Sequence, residues 1–213
     1  MKRSCVLRII VAGLLLMLLF TACAGGTGVK DGAESSAAAG EVAIGFDFIK
    51  QSGSASNQYA VWIEDMNGRV IKTLCASSWT VDGGYKTRPD SIAVWAERAG
   101  LANMSAAEVD AISCATPRTS RLSYSWDLTG EDGKPVPPGD YKFFVEGTLR
   151  WKNYVLYSGV ITIGDTSCTA NAVAEYYYQG SDRYDALNED STENRMIRNV
   201  TAAFTPAEED CGG

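Results

Sequence analysis

The segment Tyr59-Ala-Val-Trp-Ile-Glu-Asp-Met-Asn-Gly-Arg-Val-Ile-Lys-Thr-Leu74 decides the fold class of this chain. Its two ends are rich in β-branched and aromatic residues, which favour extended strands. Between them stands Asn67-Gly68, a dipeptide that readily adopts the left-handed backbone of a two-residue hairpin turn. The segment therefore predicts two antiparallel strands joined by a tight turn.

Six further segments have strand character, by composition and by alternation of apolar and polar residues. They span residues 42–48, 121–126, 140–146, 154–163, 172–178 and 197–204. The last two of these segments are expected to pair with each other. About eight strands at the spacing of hairpins predict a mainly β chain, folded as an antiparallel, immunoglobulin-like β-sandwich.

One stretch departs from the strand pattern, and we interpret residues 89–113 as a short helical insertion between two strands. Ile92 and Trp95 lie at helical spacing, and Gly100 favours a helix end. Ser105-Ala-Ala-Glu108 then resembles a capping box, in which the two side chains bond the free amides at the start of a helix.

The beginning of the chain is typical of an export signal. Three basic residues lie among the first eight, before an apolar run over residues 9–20. This run is too short to span a membrane comfortably. Leu19-Phe20-Thr21-Ala22-Cys23 resembles the bacterial lipobox, and this resemblance implies a lipid on the Cys23 thiol and cleavage before it. Ala24 stands where many inner-membrane lipoproteins have Asp, which favours the outer membrane or the cell surface. The alternative interpretation is an ordinary secretory signal.

The expected organisation of the chain follows from these boundaries. It comprises a signal peptide over 1–22, a flexible tether over 23–40, a β-sandwich over 41–206 and an acidic tail over 207–213. Removing the signal leaves 16 of the 19 basic residues against all 26 acidic ones, so the net charge changes from −7 to −10. The tether is rich in Gly, Ala and Ser and has too few large apolar residues to fold alone.

Composition weakens several classes of function. The chain has no His, so Ser-His and Cys-His nucleophile pairs are excluded and the commonest metal ligand is absent. A net charge of −10 argues against a nucleic-acid partner, whose phosphates attract basic proteins. We therefore expect no enzyme activity, no catalytic residues and no metal site. The expected partners are the membrane, through the lipid anchor, and another envelope protein.

The stretch Trp126-Asp127 to Tyr141, with Gly130-Glu-Asp-Gly-Lys-Pro-Val-Pro-Pro-Gly139 between them, resembles a known strand–turn–strand motif. The motif belongs to the immunoglobulin-like module of flagellar hook-capping proteins and many bacterial surface proteins. Leu128 stands where that motif usually has Gly. The resemblance implies an architecture and no particular activity.

A wider resemblance covers about residues 42–204. The 59–74 hairpin, the Trp95 helix, Val109-Asp-Ala-Ile-Ser-Cys-Ala-Thr-Pro117 and the Trp126-Asp127 hairpin follow one another as in the domain of unknown function 2271 family. The resemblance implies an exported, sandwich-like domain whose biochemical role is unassigned. It also implies a neighbourhood of extracytoplasmic flavin-linked and iron-related redox systems, beside which such proteins tend to occur.

Asp110-Ala-Ile-Ser113-Cys114-Ala115-Thr116 is similar to the Asp-x-x-Ser/Thr-Gly-Ala-Thr motif of FMN-binding domains. In those domains a transferase links FMN phosphate to the last Thr hydroxyl. The resemblance thus implies Thr116 as a candidate for covalent FMN, with Asp110 and Ser113 as its motif partners. Cys114 replaces the Gly of the motif, and modification fails if that position needs Gly. The alternative interpretation is a helix end and loop packed against the sandwich.

Four cysteines remain once the signal is removed and Cys23 is lipidated, namely Cys75, Cys114, Cys168 and Cys211. An even number in an exported chain favours disulfides, and free thiols are the alternative. The sequence leaves all three pairings open. Of these we favour Cys75–Cys114, which would close the helical insertion, and Cys168–Cys211, which would tie down the acidic tail.

The function expected from these observations is that of a non-enzymatic binding or accessory module anchored in the cell envelope. One alternative is a covalent FMN carrier modified at Thr116, and another is a structural surface or assembly module.

Most tryptophans alternate with polar residues as core residues do, whereas Trp79 and Trp151 have polar surroundings. These two are therefore the better candidates for an exposed aromatic binding surface.

Overall fold

Ten strands and three short helices form the parts of the chain that the computed structural model describes, which are residues 37–51, 57–149, 153–177 and 195–208. The strands are β1 Gly40–Phe48, β2 Gln58–Asp65, β3 Val70–Ser77, β4 Ser113–Cys114, β5 Ser120–Trp126, β6 Gly139–Thr148, β7 Tyr154–Ile163, β8 Cys168–Asn171, β9 Val173–Tyr177 and β10 Ile197–Pro206. The helices are α1 Tyr85–Thr87, α2 Ala93–Arg98 and α3 Ala106–Ile112, with a π-helical turn at Thr80–Gly84 and a 3₁₀ turn at Leu101–Asn103.

The strands form two sheets packed face to face, which confirms the predicted mainly β sandwich. One sheet has four strands in the order β5–β1–β10–β8, and the other has six in the order β4–β3–β2–β6–β7–β9. The hairpin that opened the sequence argument is β2–β3, and its turn contains Gly68 at φ 87°. Only Gly68 of the Asn-Gly pair is left-handed, so the pair marks the position of the turn, but the turn between Asp65 and Arg69 is longer than a two-residue hairpin loop.

The main core lies between the two sheets. Val42, Ile44, Phe46 and Phe48 of β1 are fully buried, as their alternation with small and polar residues predicts. On the opposite sheet Tyr141 packs edge-to-face on Trp126, with ring centroids 5.2 Å apart. Aromatic and aliphatic side chains of both sheets thus fill a single core layer.

Leu128, which stands where the similar strand–turn–strand motif usually has Gly, combines a left-handed backbone with a buried side chain. Its φ is 58°, a left-handed conformation that Gly adopts freely and that costs other residues energy. Its side chain is 1 % exposed and belongs to the main core. Burial of the side chain therefore offsets the backbone strain.

The expected pairing of the last two strands is wrong. β9 pairs with β7 in the six-stranded sheet, whereas β10 pairs with β1 and β8 in the four-stranded sheet. The chain changes sheet at Ala172, whose N–H donates to the Val200 carbonyl at 3.0 Å. The predicted strand over 172–178 corresponds to β9, whereas β8, directly before Ala172, is a separate short strand that borders the other sheet.

The helical insertion is confirmed, and it begins earlier than residue 89. Thr80 and Val81 are already buried, because the π-helical turn packs on the sheet before α1 begins. The capping box is present: the Glu108 N–H donates to Ser105 Oγ, and the Ser105 N–H donates to Glu108 Oε2 at 2.7 Å. Gly100, at φ 68°, follows α2 as predicted.

A second hydrophobic core lies on the outer face of the six-stranded sheet. Ala60, Trp62 and Phe144 of the sheet contact Ile92 and Trp95 of the insertion there. The six-stranded sheet is consequently covered on both faces near β2 and β6. This burial accounts for the nearly continuous apolar run of β2, because a strand covered on both faces has no polar side.

Candidate functional site

The insertion is held on the sheet by buried polar groups as well as by apolar packing. The N–H groups of Val94 and Trp95, at the start of α2, donate to the two carboxylate oxygens of Glu146 at 3.2 and 2.8 Å. Glu146 belongs to β6 and is fully buried. At the residue that directly precedes α2, the Ile92 N–H donates to Thr148 Oγ1 at 2.7 Å. The sheet thus binds the first turn of α2 through its free amides.

Ile92 itself is strained, which shows how strongly this junction is determined. The residue is β-branched, fully buried and left-handed at φ 43°. Such a conformation is rare for a β-branched side chain and persists only where surrounding contacts compensate for its cost. The compensation comes from the hydrogen bond to Thr148 and from apolar packing in the second core.

Burial strongly perturbs Glu146. Desolvation raises its pKa from the ordinary 4.5 to about 7, although the two backbone N–H groups and the positive charge of Arg98 act in the opposite direction. Removing a carboxylate from water disfavours the charged form more than two amide hydrogen bonds favour it. The start of α2 therefore rests on a group that titrates near neutral pH.

A second carboxylate holds the other end of α2. Arg98 Nη1 lies 3.0 and 3.2 Å from the two carboxylate oxygens of Glu64, and the Trp62 indole N–H donates to Glu64 at 2.7 Å. The guanidinium carbon of Arg98 lies 5.1 Å above the centre of the Phe144 ring. Glu64 is 2 % exposed and the Arg98 side chain is 39 % exposed, so Arg98 bridges the second core and the solvent.

Beyond Arg98 the outer face of the sheet is open and forms a depression of about 670 Å³. We call it the sheet-face groove; its floor is Phe144 and Leu156, and its walls include Met66, Arg98, Val173 and Tyr177. Strand register brings these residues together, since Phe144 lies opposite Ser158, and Ser158 lies opposite Val173. Side chains at paired positions of adjacent strands share one face of the sheet.

The groove concentrates the exposed apolar surface of the domain. Among the described residues the large hydrophobic side chains that remain exposed are Met66, Trp79, Val160, Val173, Tyr176 and Tyr177. Four of these six line the groove, and Val173 is 70 % exposed. Contiguous exposed apolar surface on an exported domain is typical of a binding site, whereas isolated exposed apolar residues are ordinary.

The charged groups of the groove differ in how many hydrogen bonds they make with the rest of the protein. Glu64 accepts hydrogen bonds from Arg98 and Trp62, and Glu175 accepts one from the Tyr177 hydroxyl at 2.6 Å. This bond to Glu175 also raises the pKa of Tyr177. Among the described residues, the one hydrogen bond of Lys142 is its donation to the Met66 carbonyl at 3.4 Å.

The structure places the cysteines as follows. Cys75 and Cys114 form a disulfide with Cα atoms 5.8 Å apart, which confirms the favoured pairing. The bond joins β3 to β4 and closes the insertion between them. Cys168 is a free thiol within the described residues and donates to the Thr162 carbonyl. Cys211 and Cys23 lie outside the described residues, so the Cys168–Cys211 disulfide and the lipidation stay predictions.

The residues of the FMN-type motif lie on three successive parts of the chain. Asp110 is exposed on α3, Ser113 lies half-buried in β4, and Thr116 lies half-buried in the loop that follows. Within the described part of the chain, no hydrogen bond joins any two of the three. Cys114, which stands at the Gly position of the motif, is bonded to Cys75 in the disulfide. Attachment of FMN at Thr116 therefore stays a prediction from resemblance.

The groove could not be predicted from the sequence because its residues come from five strands and helices and from the β2–β3 turn. Trp79 is exposed as expected, at 47 %, but it lies outside the groove, and Trp151 is outside the described residues. A usable signal was the apolar character of the outward positions Leu156 and Val160 of β7, which alternation alone would make polar. Nothing in the sequence distinguishes Lys142 from any solvated lysine.

No helix in the described residues is long and apolar enough to cross a membrane. No cluster of three or more Cys, Asp or Glu side chains that could hold a metal ion occurs in the same ranges.

Comparison with known proteins supports the resemblance to the domain of unknown function 2271 family. A family model described as "Predicted periplasmic protein (DUF2271)" matches residues 39–179, which include β1 to β9, the helical insertion and all the residues that line the groove. The match ends before β10. No curated protein matches the chain. No solved structure matches it either. Because the family model covers more than half of the sequence, the chain belongs to the DUF2271 family of predicted periplasmic proteins.

Proposed function

We propose that this protein is a lipid-anchored binding module of the cell envelope, and that the sheet-face groove is its ligand site. The single observation that carries the proposal is the gathering of four exposed hydrophobic side chains in one groove of about 670 Å³. This volume lies within the range of about 300–1,000 Å³ that is typical of small-molecule sites.

The construction of the groove also supports binding rather than catalysis. Its walls stand on a sheet that is covered on the other face by the main core, and α2 beside it is held at both ends by buried carboxylates. A rigid support reduces the entropy lost when a ligand binds. In its narrower form, drawn from the family resemblance, the proposal is that the module serves an extracytoplasmic flavin- or iron-linked redox system.

The groove can be tested with the neutral dye N-phenyl-1-naphthylamine, whose fluorescence rises in apolar surroundings. The sample is the full chain carrying Cys23→Ser, which removes the lipid acceptor and avoids a detergent micelle. Val173→Ser should weaken dye binding about three- to tenfold, because an exposed apolar wall of the groove is lost. Trp79→Ser is the matched control, since Trp79 is exposed outside the groove. Equal affinities for Val173→Ser and the parent would contradict the proposed site.

The anchor can be tested by intact mass of the wild-type protein extracted from membranes. We expect a chain that begins at Cys23 and carries the mass of a diacylglyceryl group, with no mass of FMN. Cys23→Ser should remove the lipid mass, because serine has no thiol to accept the diacylglyceryl group. A mass of FMN that disappears in Thr116→Ala would instead support a covalent flavin carrier.

A further inference from the structure

We infer that the ligand of the sheet-face groove is a small organic acid, with an apolar or aromatic body against the groove wall and one anionic group bound by Arg98 and Lys142. This inference rests on the proposed function, because it takes the groove as the ligand site and identifies the chemistry that fits it.

Arg98 and Lys142 have more N–H donors than they use in hydrogen bonds to the described residues. Arg98 has five N–H donors, and its hydrogen bonds to described residues use Nη1 alone. Lys142 has three donors and one long contact, at 3.4 Å, to a carbonyl. Both side chains line the groove. A ligand oxygen with negative charge would accept the hydrogen bonds that these two cations do not make within the described chain.

The two carboxylates of the groove, Glu64 and Glu175, both accept hydrogen bonds from side chains of the protein. Both oxygens of Glu64 lie within 3.2 Å of Arg98 Nη1, and Glu64 also accepts from the Trp62 indole. Glu64 is only 2 % exposed, so it offers little to a ligand. Glu175 accepts from the Tyr177 hydroxyl through Oε2, so its Oε1 is the one carboxylate oxygen of the groove without a hydrogen bond among the described residues. Arg98 and Lys142 have more unused donors than this, so the groove favours an anion over a cation, although its formal charges balance.

The guanidinium of Arg98 is partly surrounded by apolar side chains. Arg98 lies over the Phe144 ring, so one face of its plane is shielded from water by an apolar surface. Electrostatic attraction to an anion is stronger where water is excluded. Met66 and Val160, which also line the groove, provide apolar contact within the same depression. An anionic group and an apolar body can thus be bound together.

The test uses a matched pair of dyes that differ by one sulfonate. The neutral dye is N-phenyl-1-naphthylamine, and the anionic dye is 8-anilinonaphthalene-1-sulfonate. In the Cys23→Ser chain, Lys142→Gln should weaken binding of the anionic dye about three- to tenfold and leave the neutral dye unchanged. Added salt should weaken only the anionic dye. Lys134→Gln is the control, because Lys134 is an exposed lysine outside the groove, paired with Asp132.

The outcomes separate this inference from the proposed function. If Val173→Ser weakens the neutral dye but Lys142→Gln has no effect on the anionic one, the groove is the site and the anionic ligand is overturned. If Val173→Ser affects neither dye, the proposed site itself fails. If the full chain sediments with phosphatidylglycerol vesicles and Lys142→Gln abolishes this, the occupant is a lipid and the small organic acid is overturned. Retained thermal unfolding of each variant shows that the fold is intact.

Discussion

Replacing Trp95 by alanine is expected to lower the free energy of unfolding by about 3–5 kcal/mol. Trp95 is fully buried in the second core, and its indole N–H donates to Thr73 Oγ1 at 3.1 Å. The substitution removes the largest side chain that the insertion places on the sheet and leaves a cavity above Trp62 and Phe144. Denaturant unfolding of the parent and the variant at one pH measures the difference.

Trp79→Ala is the matched control for this prediction. Trp79 is also a tryptophan next to the insertion, but 47 % of it is exposed, so its removal should cost less than about 1 kcal/mol. Hydrogen exchange of the α2 and α3 amides gives a second readout, and these amides should lose protection in Trp95→Ala. A cost for Trp95→Ala no larger than for Trp79→Ala would contradict the second core as the main support of the insertion.

Glu146 should make the stability of the protein fall as the pH rises from about 4.5 to about 7. The folded pKa is raised from 4.5 to about 7, so between these values the folded chain binds a proton that the unfolded chain has lost. The stabilising contribution is complete below pH 4.5 and is lost as the pH rises through 7. A difference of this size corresponds to about 3 kcal/mol across the window.

The measurement compares the parent with Glu146→Gln at several pH values. The stability advantage of the parent over the variant should shrink by about 3 kcal/mol between pH 4.5 and 8, because glutamine does not titrate. The groups that lower the pKa of Glu146 against its burial are the two backbone N–H groups and the positive charge of Arg98. The chain also has no His, so no imidazole titrates in this pH range.

Glu97→Gln is the control for the pH experiment. Glu97 is exposed on the same helix, α2, and its replacement should leave the pH profile of the parent unchanged. A constant difference between the parent and Glu146→Gln from pH 4.5 to 8 would show that Glu146 does not titrate within this range in the folded protein.

Much of the fold could be predicted from the sequence because its signals are local. The alternation of Val42, Ile44 and Phe46 requires only that one face of a strand meets a core. Gly68 marks a turn because few residues other than glycine tolerate its φ of 87°. The capping box from Ser105 to Glu108 works within one helical turn. Each of these features depends on residues close together in the chain.

Strand pairing at the end of the chain could not be predicted in the same way. The 172–178 stretch and β10 have ordinary strand patterns, and both orders of pairing satisfy their alternation. The change of sheet at Ala172 depends on a contact with Val200, far along the chain. Pairing of strands that are distant in sequence is decided by which edges remain open after the rest of the sandwich has packed.

The sequence by itself determined the β class, the β2–β3 hairpin, the helical insertion and the cysteines available to close it, since period, turn chemistry and spacing are properties of neighbouring residues. Only the tertiary structure decided that Glu64 and Glu146 are buried while Glu175 is exposed. All three occupy outward positions of strands in one sheet, so their local patterns are alike. The insertion covers β2 and β6 but leaves β9 open, and this unequal cover creates both the buried carboxylates and the groove beside them.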